Sequence, residues 1–373
     1  MENEKFVHVI DLSGPAAHPW QWLKLMRAFH GRPGGSPQLR ITVVHDDGAF
    51  LAQTAALLRR EAEALDMAFS FHPILGRLET LELGNLHHTL AIRSGDARAF
   101  SCVLQMHRLL AVDDTQQVAT SMAPLPQLAA PEVVKTSLLD PSPTTPLSPF
   151  AAQASPSASS PHPQQAAAAV PPLAGFLSAV RAVSPKVVCV MEQDAGDNVP
   201  GLADRFEEAL HHYAAVFDAL DDAAAGSAGV AREEERAAVE RILLWEEVKD
   251  VLARDGSERR ERHERLHQWA ARMAGAGFAG VPLSYVAKME ADAALRKCGL
   301  RGYETRGVEG GYLLLCRSGW PLYSVSAWRP WPSQGSASSG SESSRRTQLV
   351  QGQMASTWTA WPQLLSPPVD HTH

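Results

Sequence analysis

Asp11 directly follows the apolar run Phe6-Val7-His8-Val9-Ile10. An α/β enzyme that holds S-adenosylmethionine places an acid at this point, after its first strand. That chemistry also needs glycines at alternate positions behind the acid, so that the backbone can come close to the ligand. The three places hold Ser13, Pro15 and Ala17, and Pro15 has no N–H to donate. Gly14 is the one glycine left, and it is out of step. Asp46 and Asp47 follow a second β-rich run, Leu39 to Val44, where an acid would meet ribose hydroxyls. His107 comes after a further run, Ala99 to Gln105, and is the histidine best placed for acid/base work in a cleft. With the glycine loop lost, no cofactor is expected. Asp11, Gly14, Asp46 and His107 stand only as cleft candidates, and a solvated βα turn is the plainer reading.

The other reactive side chains read as structural. His8, inside an apolar strand, reads as a hydrogen-bonded core histidine. His87-His88 and His211-His212 are adjacent pairs; neighbours on a helix do not share a face, and no cysteine or carboxylate completes either pair at zinc-site spacing. No metal is expected. Cys102, Cys189, Cys298 and Cys316 form no CxxC pair, and three of them sit in apolar runs, so they read as buried, reduced thiols. Arg254 to Arg265 has five arginines against Asp255, Glu258, Glu261 and Glu264. Glu258 with Arg262 and Glu261 with Arg265 stand at i,i+4, so the stretch reads as a salt-bridged helix face, with a partner-docking face second. A phosphate-binding patch would carry the bases without the acids. Trp320, Trp328 and Trp331 read as anchors that seal the sheet, whereas Trp358 and Trp361 in the polar tail could form a short docking motif.

The elements that must position these residues alternate. Strands are expected over Phe6–Ile10, Leu39–Val44, Phe69–Leu75, Ala99–Gln105 and Lys186–Met191. A helix opens at Pro19, another runs over Ala49–Leu65, and one follows from Leu173 to about Val183. Strands separated by such helices make βαβ units and a parallel sheet. Helices are then expected over 202–225, 233–254, 258–274 and 284–298. In the second, Leu244, Val248, Val251 and Leu252 form a core-facing stripe. Short strands near Tyr303–Val308, Tyr312–Cys316 and Tyr323–Ala327, joined by Gly-rich turns, should close the sheet antiparallel. The fold class expected is therefore α/β: a Rossmann-like, methyltransferase-like, mostly parallel sheet flanked by helices, with antiparallel C-terminal strands. Residues 115–172 hold twelve of the 26 prolines and only Glu132, Lys135 and Asp140 as charges. They read as a disordered insertion within a domain spanning 6–331, and 332–373 as a disordered tail.

Net charge is −7, with 45% hydrophobic and 20% charged residues, and no basic excess advertises nucleic-acid binding. Met1 to Lys5 runs straight into a strand and leaves no room for a signal peptide. No run of about 18 apolar residues points to a membrane span.

Several segments, in order, resemble the GRAS family of plant regulators. Val7-His8-Val9-Ile10-Asp11 resembles its VHIID motif, and Leu39-Arg40-Ile41-Thr42 the signature that follows. Phe206 through Phe217-Asp218-Ala219-Leu220-Asp221 is similar to its PFYRE region. Glu258-Arg259-Arg260-Glu261-Arg262-His263-Glu264 resembles the ERxERHE block, and Ser326-Ala327-Trp328-Arg329 the closing SAW motif. Gln21-Trp22-Leu23, Arg32-Pro33-Gly34-Gly35 and Leu104-Gln105-Met106-His107 look closest to the scarecrow-like-three branch. The resemblance implies a nuclear transcriptional regulator, not an enzyme, in gibberellin-type hormone and developmental signalling. It would work with DELLA-type relatives and zinc-finger DNA-binding proteins and touch DNA indirectly. The family carries a leucine-rich helical cap ahead of VHIID, used in pairing; here six residues precede Val7, so the resemblance is to a chain without that cap and leaves dimerisation doubtful. The rival readings are a methyltransferase-like enzyme using Asp11, Gly14, Asp46 and His107, and a direct DNA binder with a local basic face.

Overall fold

The strand Gln38–His45 (β2) has seven consecutive buried residues, which marks it as covered on both faces, as a central strand of a parallel sheet must be. The computed structural model describes residues 4–112, 172–225, 230–298 and 302–331. The insertion up to residue 171 and the tail 332–373, with Trp358 and Trp361, lie outside the described residues. Beside β2 run β1 (Phe6–Asp11), β3 (Phe69–Leu75), β4 (Ala97–Val103) and β5 (Val187–Gln193), all parallel, in the order β3-β2-β1-β4-β5. The sheet continues antiparallel: β9 (Trp320–Pro330) pairs with β5, β8 (Tyr312–Arg317) with β9, and β7 (Tyr303–Val308) with β8. A short β6 (Phe278–Gly280) pairs with the end of β9. The chain thus adopts the Rossmann-like α/β architecture that its pattern of apolar runs implies. In register, Asp11 ends β1 beside Ser101, and Ser101 stands beside Cys189, so β4 and β5 run on past β1 to Val103 and Gln193 at the same edge of the sheet.

Two hydrophobic seams hold this sheet. On one face, α1 (Pro19–His30) and α2 (Gly48–Ala64) set Trp22, Leu23, Met26, Leu51 and Leu58 against Val7, Val9, Leu39 and Ile41. On the other, α4 (Pro172–Ala182) and α8 (Leu266–Gly275) set Phe176, Val180, Trp269 and Met273 against Ile10, Phe100, Val188 and Trp328. Each such fully buried side chain contributes about 1.5–3 kcal/mol. Pro19 pre-sets the first turn of α1, and Asp47 caps α2 by accepting from the Ala49 and Phe50 N–H groups at 2.7 and 3.3 Å. A single turn, α3 (Leu86–Thr89), precedes β4. A helical flank follows β5: α5 (Leu202–Ala225), α6 (Val230–Val239), a π-helical turn at Glu240–Leu244, α7 (Trp245–Ala253) and, after α8, α9 (Tyr285–Cys298). Ala209 and Tyr213 of α5 pack on Val248, Val251 and Leu252 of α7, so these three of the stripe make a core contact, while Leu244 lies in the π-helical turn.

Four expectations are corrected. The helix expected from Glu258 begins only at Leu266, and residues 259–265 form neither helix nor strand. The helix expected over 233–254 is interrupted by the π-helical turn. Cys189 is exposed, whereas Cys102 and Cys316 are buried; its side of β5 alternates away from the seam formed with α4 and α8. Trp328 is sealed in the sheet, but Trp320 is 41% exposed at the strand end, stacked on His211 with ring centroids 5.1 Å apart.

Candidate functional site

The strand order reverses between β1 and β4, which in an open α/β sheet puts the ligand crevice at the carboxyl ends of those strands. Asp11 is there, fully buried, and its carboxylate is already engaged. One oxygen accepts from the Ser13 N–H at 3.0 Å; the other accepts from Gln21 Nε2 at 3.1 Å and the Trp22 indole N–H at 2.8 Å. Burial pushes the Asp11 carboxyl up, against the pull of these donors. The chain then turns through a 3-10 helix, Gly14–Ala16, with Pro15 inside it. Gly14 has φ +49°, and a Cβ there would lie 3.1 Å from Gln105 Oε1. The turn is pressed against Gln105 in the loop leaving β4. Asp46 does not join it: Asp46 pairs with Arg77 Nε at 2.7 Å, and that hydrogen bond holds its carboxyl below the usual range.

His107 lies in a second region, beyond β4. Its Nδ1 bonds Glu192 at 2.8 Å and its Nε2 bonds Glu261 at 2.9 Å. Burial opposes charge on this ring, but Glu192 and Glu261 outweigh it and raise His107 to about 10. The other Glu192 oxygen accepts from the Gln105 and Met106 N–H groups, at 3.1 and 2.7 Å, so one carboxylate fixes both the turn and the ring. Burial raises Glu261, yet His107, Arg108 and His263 bring it down to about 2. His263 Nδ1 bonds Asp197 at 2.7 Å, and the same carboxylate accepts the His263 backbone N–H. Burial lowers the His263 ring and Asp197 more than compensates.

The segment 259–265 threads between these groups and cannot be a helix face. Asp250 takes the Arg260 and Glu261 N–H groups, Asp197 that of His263 and Asp194 that of Leu266, all at 2.7 Å. Arg259 and Arg262 are buried, donating to the carbonyls of Asp197 and Gly256. In place of the Glu261–Arg265 pair expected from spacing, Glu261 pairs with Arg108 and Arg265 with Glu208, and Glu264 pairs with Arg272. The buried arginines present no phosphate-binding face. His8 is a core histidine, 2.8 Å from the Thr42 hydroxyl. In the closing motif Ser326 accepts from the Trp328 indole N–H at 2.9 Å, and Ala327 is buried beside it.

Sequence reasoning placed Asp11, Gly14 and His107 at this edge but missed Glu192, Asp197, Glu247 and His263. Acids at the end of the apolar run Val187–Met191 were the available signal. Among the described residues, His107, Glu261 and His263 bring potential ligand atoms within 4.8 Å of one another. Spacing could not show this, because Glu261 is 154 residues from His107.

The helical flank carries a different kind of surface. Leu202, Phe206, Leu210 and Phe217 form one stripe along α5 with exposures of 56, 53, 56 and 37%. Ile242, Leu243 and Trp245 at the π-helical turn are about as open. Such clustering on a folded surface marks an interaction site more often than chance.

Comparison with known proteins gives one consistent result. The model of the GRAS domain family matches residues 1–329. Scarecrow-like protein 3 of Arabidopsis thaliana is 39% identical over 341 residues, which span 88% of this chain and 67% of that protein. GRAS family protein TF80 of Medicago truncatula is 36% identical, over 88% of this chain and 71% of its own length. The crystal structure of SCL7 from Oryza sativa superposes with a TM-score of 0.64 at 25% identity, covering 87% of this chain and 74% of that one.

Proposed function

Because the chain belongs to the GRAS domain family, whose members are plant transcriptional regulators, we propose that it regulates transcription by docking other proteins, not by turning over a ligand. The observation that carries this reading is the turn behind Asp11, where protein donors occupy the carboxylate and Gln105 packs closely over Gly14. The sheet then serves as a rigid frame for the helical flank. The apolar stripe Leu202, Phe206, Leu210 and Phe217 supplies the contact surface. Partners fitting this reading are DELLA-type relatives and zinc-finger DNA-binding regulators, met in the nucleus and in gibberellin-type signalling, with DNA held by the partner.

The test is binding of the purified chain to an immobilised zinc-finger regulator of this pathway. Phe206→Ser with Leu210→Ser should weaken capture at least tenfold while the circular dichroism spectrum stays unchanged, as expected for anchors at an interface centre. Equal capture by the folded double variant would contradict docking through α5.

A further inference from the structure

His263 Nε2 is buried without a hydrogen-bond partner. The acidic oxygen that it faces is Glu261 Oε2 at 3.9 Å, beyond the ends of β4 and β5. His107 Nε2 reaches the same oxygen at 2.9 Å from the other side. Behind each ring stands a buried carboxylate: Glu192 on His107 Nδ1 at 2.8 Å and Asp197 on His263 Nδ1 at 2.7 Å. A carboxylate on one imidazole nitrogen, with the other nitrogen aimed at a shared point, is the arrangement by which proteins orient histidines toward a metal.

We propose that His107 Nε2, His263 Nε2 and one carboxylate oxygen of Glu261 form a binding site for a zinc-class divalent cation. Nitrogen and oxygen ligands bind zinc at about 2.0–2.2 Å, so neighbouring ligand atoms of a tetrahedral site stand about 3.3 Å apart. The separations of 2.9 and 3.9 Å bracket that value, and small rotations of Glu261 equalise them. The two Glu261 oxygens divide the work: Oε1 takes Arg108 at 3.0 Å and Oε2 faces the histidines. The side chains of Arg108 and Glu261, 31 and 15% exposed, form the approach through which a cation enters and a water completes the fourth position.

Charge favours the same outcome. Glu192, Asp197 and Glu261 are three acids around two rings. A divalent cation supplies two positive charges among them. Each ring keeps its Nδ1 on the carboxylate behind it and turns Nε2 to the cation, any proton on Nε2 leaving to solvent. The other charges facing the site are Arg108 beside Glu261, Arg259 beside Asp197, and Glu247 toward His263. Imidazole ligands select zinc and its first-row neighbours over magnesium and calcium. The bound cation would tie segment 259–265 to the ends of β4 and β5, independently of the docking surface on α5.

The test uses the whole chain, stripped with a chelator and titrated with zinc sulfate by calorimetry. One tight zinc per chain is expected, and no heat with magnesium or calcium. His107→Gln with His263→Gln should lower this affinity at least 100-fold. Asp197→Asn, which touches no cation, should lower it about 10- to 100-fold. X-ray absorption on the zinc-loaded unaltered chain, which requires no variant to fold, should show two imidazoles and a carboxylate. Uptake that is unchanged in the double variant, as exposed histidines such as His87 and His88 would give, overturns the proposal. So does an unaltered chain that takes up no zinc, or a loaded one whose metal has no imidazole pair.

Discussion

His8 on β1 and His107 beyond β4 are both buried at the same sheet, yet their neighbours differ. His8 meets the Thr42 hydroxyl and lies near Arg40, so burial, helped by that positive charge, lowers it to about 3 and keeps it neutral. His107 is clamped between two glutamates, which overcome burial and keep it charged to about pH 10. The same contrast separates the two turns at the sheet's carboxyl edge. Behind β1, one buried carboxylate is satisfied by an amide, an indole and a backbone N–H. Behind β4 and β5, the turns are held by alternating full charges. Burial alone therefore does not set a group's state; the donors and acceptors that fold against it do.

The sharpest way to break this contrast is to remove one charge from the second region. Glu192→Gln leaves the His107 imidazolium without its buried partner, and urea unfolding should show a loss of about 3–5 kcal/mol. The next effect is on pH. His107 is raised in the folded state from 6.5 to about 10, so the folded chain holds the extra proton between those values. Its contribution is full below pH 6.5 and is lost as pH rises toward 10, with a slope of at most about 1.4 kcal/mol per unit. His107→Gln should flatten this alkaline limb. His8 works with the opposite sign: its lowered value makes the unfolded chain take up the proton, so stability falls as pH drops from 6.5 toward 3. The smallest change belongs to the first region. Trp22→Phe removes one donor to Asp11 and should cost about 1–3 kcal/mol by the same unfolding measurement, with no change in the alkaline limb.

Much of the fold was legible in the chain. β1 to β5 announce themselves as apolar runs, and Pro19 and Gly31 mark the ends of α1 by local chemistry, whereas Asp47, read as an acid at a ribose position, caps α2. β6 is three residues long and has no such signature. The segment 259–265 was misread because acids and bases at i,i+4 fit a helix, but fit equally well a strap whose charges pair elsewhere. In place of a helix, Asp250 takes the Arg260 and Glu261 N–H groups and Asp197 that of His263, and only the fold brings these acids there. His107 was found because it follows a strand. His263 was passed over because its meaning depends on a carboxylate 66 residues away.

The central claim is that the turn leaving β1 is closed by the protein's own groups. Calorimetric titration of the chain with S-adenosylmethionine tests it most directly. No binding heat is expected, because three protein donors already occupy the Asp11 carboxylate. Stoichiometric binding in the micromolar range that disappears in Asp11→Ala would contradict the account.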